Sequence, residues 1–66
     1  MASLLAGLAV RIELAKKKML AAGAVSPETA KTAKELGVDE FHIKTRMAKR
    51  KGIVATADGR YYVATS

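Results

Sequence analysis

Sixty-six residues without a cysteine make at most one domain, with no disulfide or thiolate metal site to support it. Twelve Lys and Arg against six Asp and Glu leave a net charge of +6 and a pI near 10.0. That is the electrostatic footprint of a polyanion binder, and it speaks to partners rather than to fold.

The first segment, Ser3 to about Ala22, reads as a helix. Leu5, Leu8, Ile12, Ala15, Met19 and Ala22 recur at steps of three and four and form one stripe. Lys16, Lys17 and Lys18 complement the dipole at its C-terminal end, and Gly23 is its natural stop. Leu4, Val10, Leu14 and Leu20 lie partly off the stripe. A helix apolar on more than one side needs more than one neighbour, so the surplus implies either a deep position in the domain or a homodimer contact through this helix. The apolar run is far shorter than the roughly 18 residues of a membrane span, and it lacks the positive flank of a signal peptide. Only in a fragment of a longer protein would Leu4 to Val10 read as the tail of a membrane helix, with the lysines on its positive side.

Ser26-Pro27-Glu28 is a helix start, with Ser as N-cap and Pro in the first turn. The spacing of Ala30, Ala33 and Leu36 predicts a second helix ending at Gly37. Lys31 and Lys34 are then left for solvent or a partner. After Val38, Asp39 is a second N-cap, and a third helix is expected to run unbroken to about Lys51, where Gly52 ends it. Ile53 to Thr56 and Arg60 to Val63 are β-formers around Asp58-Gly59, a strong hairpin signal. A two-residue turn there pairs Ala57 with Arg60, Thr56 with Tyr61 and Val54 with Val63. One of the adjacent tyrosines should pack inward and the other stay partly exposed. The fold class expected is therefore mainly α, three helices and a C-terminal β-hairpin. As one domain over 1–66 it divides into a first helix (1–23), a helical pair (26–51) and the hairpin (53–63).

His42, Thr45, Arg46 and Lys49 share one face of the expected third helix, with Arg50 at its margin. A helix fits the major groove of B-DNA, where Arg or Lys can read guanine O6 and N7. The competing reading is a solvated basic face with no partner. Catalytic readings are poor. One His, no Cys and six scattered carboxylates make no reactive set, and Asp39-Glu40 reads better as a capping pair than as an acid/base pair. With neither a glycine-rich phosphate loop nor metal-ligand spacing, we expect no enzyme activity, cofactor, metal or small-molecule ligand.

The order of elements, the string Ala33-Lys-Glu-Leu-Gly-Val-Asp39, and Lys51-Gly-Ile-Val54 followed by Asp58-Gly-Arg-Tyr-Tyr-Val63 resemble the winged helix-turn-helix superfamily of DNA-binding domains. The resemblance covers about residues 24–63. Where its members carry a large aliphatic residue four before the wing glycine, this chain carries Ala48. The resemblance implies double-stranded DNA as partner, with a role in transcriptional regulation in the cytoplasm. It gives Arg60 a place on the wing beside phosphates or a minor groove, and Lys31 and Lys34 a place on a helix that crosses the backbone. Winged helices also serve as protein-interaction modules and as RNA or ribosome binders, so both alternatives stand beside the first.

Overall fold

The computed structural model describes residues 4–64, with side chains from residue 7 onward. Helix α1 (Leu4–Ala21) is followed by a 3₁₀ turn (Pro27–Thr29), strand β1 (Lys31–Thr32) and helix α2 (Ala33–Leu36). Helices α3 (Glu40–Ile43) and α4 (Arg46–Arg50) come next, then strands β2 (Ile53–Ala55) and β3 (Arg60–Val63). The three strands form one antiparallel sheet in the order β1-β3-β2.

The core lies between α1 and the rest of the chain. Ile12, Ala15 and Met19 are buried on α1, and Ala33, Leu36, Ile43, Ala48, Ile53, Tyr61 and Val63 meet them. Leu8 packs against this cluster, in line with the expected stripe. Ala22 does not join it, because the helix has ended at Ala21 and Ala22 is exposed. The side chains of Leu4 and Leu5 lie outside the described residues.

Four expectations are corrected. The segment 26–36 is not one helix. The Thr29 hydroxyl accepts from the backbone N–H groups of Val25 and Ser26, which closes a single 3₁₀ turn. The chain then extends, and Lys31 pairs with Tyr61 and Thr32 with Arg60. A new helix starts at Thr32, whose hydroxyl accepts from Glu35 N–H at 3.1 Å while the Glu35 carboxylate accepts from Thr32 N–H at 2.9 Å. This reciprocal capping box satisfies two donors that a helix start leaves open. Lys31 is thus a strand residue, and the sheet has three strands rather than two. Gly37, at φ +71°, closes α2, with Val38 N–H reaching back to Ala33 O at 3.1 Å. That left-handed conformation is open to glycine at little cost.

The expected third helix is also interrupted. Lys44 caps α3, and Thr45 leaves helical geometry at ψ 161°. Its hydroxyl accepts from Ala48 N–H at 3.2 Å and donates to His42 O at 3.0 Å, so Thr45 starts α4 afresh. The hairpin register is shifted by one residue from expectation. Ile53 faces Val63, Val54 faces Tyr62 and Ala55 faces Tyr61. Thr56 N–H donates to Arg60 O and Gly59 N–H to Thr56 O, which leaves a three-residue loop, Ala57 to Gly59. Gly59 at φ +82° supplies the left-handed residue such a loop needs. The slip puts Ile53 and Val63, both buried, directly opposite each other. The tyrosines divide as expected, with Tyr61 buried and Tyr62 half-buried against the core.

Candidate nucleic-acid interface

Residues 44–51 carry Lys44, Arg46, Lys49, Arg50 and Lys51 and no acid. Their placement follows from how α4 is seated. Ala48 is fully buried and Met47 packs against the core, so the helix offers its other side to solvent. Arg46, Lys49 and Arg50, spaced three and four apart, are exposed on that side. Lys44, absent from the residues picked out by sequence reasoning, is exposed at the junction just before them. On an unbroken helix it would lie between two apolar pairs, Phe41 with Ala48 and Ile43 with Met47. The interruption at Thr45 makes it a junction residue.

Lys51 differs from its neighbours. Its ammonium donates to Glu13 on α1 at 2.9 Å, and that bond is the main reason the Glu13 carboxyl lies below its ordinary range. Among the described residues, Lys44, Arg46, Lys49 and Arg50 enter no salt bridge. Four positive charges therefore stand close together without neutralising carboxylates.

The other expected residues are not brought into this group. Thr45 is half-buried and its hydroxyl is committed to the α3–α4 junction. His42 sits on α3, half-buried, and faces α1 across an open groove lined by Arg11, Leu14, Ala15, Lys18, Val38 and Asp39. Its ring meets the edge of Phe41 at 5.8 Å between centroids. Lys31 and Arg60 fall on the sheet, on β1 and β3. The Arg60 guanidinium is 3.4 Å from the Asp58 carboxylate. Asp58 is held below its ordinary pKa chiefly by the Thr56 hydroxyl, with Arg60 adding to the effect. The Glu35 carboxyl is likewise lowered, first by its bonds to Thr32, with smaller contributions from Lys31 and Arg60. Arg60 thus pairs with Asp58 and also lowers the Glu35 carboxyl slightly through its charge. Lys34 is exposed on α2.

Among the described residues, no group of three or more His, Asp or Glu could hold a metal ion. No described helix is long and apolar enough to cross a membrane. Chemically, the surface at residues 44–50 offers two guanidinium forks and two ammonium groups, a donor set suited to phosphate oxygens and guanine edges. No protein-family model, curated protein or solved structure matches the chain.

Proposed function

We propose that the chain is a winged helix-turn-helix domain that binds double-stranded DNA, acting in transcriptional regulation in the cytoplasm. The observation that carries this reading is the exposed, unpaired cluster Lys44, Arg46, Lys49 and Arg50, seated immediately before a β-hairpin. The layout supports it: a long helix, a short strand, a Gly-terminated helix, a basic helical segment and a hairpin, with the first strand on the outer edge of β3. In this reading α4 approaches the duplex and the Ala57–Gly59 loop is the tip of the wing.

The interruption at Thr45 bears on mechanism. A five-residue α4 presents three basic side chains, fewer than a recognition helix of three turns. Phosphate attraction then supplies most of the affinity, and Arg46 is the residue in α4 best suited to a bidentate base contact.

The test is a titration over a salt series against duplex DNA, duplex RNA and single-stranded DNA. With Arg46 on a base, three phosphate contacts from Lys44, Lys49 and Arg50 predict a slope of log K against log salt of about −2.7 on duplex DNA. Duplex DNA should be preferred, because the deep, narrow major groove of A-form RNA does not admit a helix. No binding to duplex DNA at low salt would remove the proposal.

A further inference from the structure

The acids next to Phe41 and the cations around the α1–α3 groove point to a contact that nucleic acid does not explain. Phe41 is 72 % exposed, the most exposed large apolar side chain among the described residues. It touches the His42 ring, and His42 lines the groove. The groove has a volume of about 210 Å³, and Leu14, Ala15 and Val38 make up the apolar part of its lining. An apolar cavity of about 150 Å³ accepts a benzene ring, so this groove has room for one phenyl group. Leu14 (52 % exposed) and Val10 (60 % exposed), one turn earlier, extend the apolar strip along α1. Phe41 does not fill its own groove, so ring and groove are both open on one molecule and lie side by side.

Charge decides what fits. Asp39 and Glu40 immediately precede Phe41 and are the only adjacent acids in the chain. They repel a phosphate backbone from this end of α3. Arg11 and Lys18 line the groove from α1 and Asp39 lines it from the start of α3, with Lys18 held in place by donating to Gly37 O at 3.0 Å. A phenyl group arriving with two acids beside it is complementary to the α1 side of the groove, where the two cations stand. The chain itself carries such a segment.

We propose that two copies of this chain pair about a two-fold axis, each inserting Phe41 into the α1–α3 groove of the other. Because ring and groove are neighbours, one axis between them satisfies both contacts at once, as a self-complementary interface requires. Asp39 and Glu40 of each copy, each accepting within its own chain through one carboxylate oxygen, then approach Arg11 and Lys18 of the other with the second oxygen. The basic α4 cluster carries no part of this contact, so the dimer would stand whether or not the chain binds DNA.

Sedimentation equilibrium without nucleic acid, from about 10 µM to about 1 mM protein, tests it. The wild type is expected to show a reversible monomer–dimer equilibrium. Phe41→Ser removes two buried rings per dimer and should weaken association at least about 100-fold. Leu14→Ser should weaken it from the groove side, and Arg11→Glu should weaken it by turning attraction into repulsion. Circular dichroism should show the monomer fold unchanged in all three variants, since these side chains are exposed. A wild type that stays monomeric at about 1 mM overturns the proposal. So does a dimer indifferent to Phe41→Ser.

Discussion

Tyr61 joins the sheet to the helical segment through one hydrogen bond. The residue is 2 % exposed, and its hydroxyl donates to the Glu40 carboxylate of α3 at 2.7 Å. Removal from water, and then the bond to Glu40 and its negative charge, push the phenol up to about 12. The unfolded chain would release this proton near pH 10. The folded state holds it more tightly, so the contribution is fully present below about pH 10 and is lost as pH rises toward 12. The loss is on the order of 2 kcal/mol. Tyr61→Phe should cost about 1 kcal/mol at neutral pH by removing the bond, but it has no proton to lose. Urea unfolding of both proteins at neutral pH and near pH 11.5 should therefore show their order of stability reverse. A gap that stays constant would mean that the Tyr61 proton is no more tightly held than in the unfolded chain. Every other group is common to both proteins and drops out of the comparison.

At the scale of elements, short polar caps decide where helices begin and stop. Thr45 both starts α4 and ties it to His42 of α3. Thr45→Ala should cost about 0.5–2 kcal/mol in thermal unfolding, and Thr45→Ser should recover most of it. A Thr45→Ala protein of unchanged stability but weaker DNA binding would instead make Thr45 a contact residue. The same caps explain what the sequence disclosed. The ends of α1 and α2 were legible because Gly23 and Gly37 take backbone conformations other residues avoid. The core stripe from Leu8 to Met19 was legible because its period is unambiguous. Strand β1 was hidden, since Lys31 and Thr32 have no strand-like pattern and are ordered by pairing with β3. The capping box Thr32-Ala-Lys-Glu35 was the available signal against a continuous helix there. The hairpin was visible in Asp58-Gly59, but its register depended on whether Ala57 belonged to strand or loop. Of the candidate site, Arg46, Lys49 and Arg50 were legible because their spacing survives the interruption. Thr45 and His42 were not, because their roles arise from the junction itself.

Across the whole molecule, the fold engages the negative charge and leaves much of the positive charge free. Glu13 pairs with Lys51, and Asp58 with Arg60. Glu35 accepts from Thr32 N–H, Asp39 from Phe41 N–H and Glu40 from the Tyr61 hydroxyl. Five of the six acids are thereby engaged within the chain, and none of them neutralises Lys44, Arg46, Lys49 or Arg50. Net charge alone would make every cation equal in binding a polyanion, whereas this distribution ranks them. The Lys49→Ala/Arg50→Ala double variant should flatten the salt dependence of duplex DNA binding by about two units, roughly one per phosphate contact. Arg60→Ala should change it by less than one unit, because the Asp58 carboxylate beside it offsets part of its charge. Arg46→Ala should act differently again. If its guanidinium reads a base, its loss costs about 1–3 kcal/mol on a selected duplex and much less on a scrambled one. Binding isotherms for the wild type and these three variants, on both duplexes over one salt series, separate the contributions. Flattening of about one unit by Arg60→Ala, the same per residue as in the double variant, would show that the ion pair at the hairpin does not restrain Arg60. The segment 44–50 would then lose its special place, and the affinity would belong to the net charge of the whole domain.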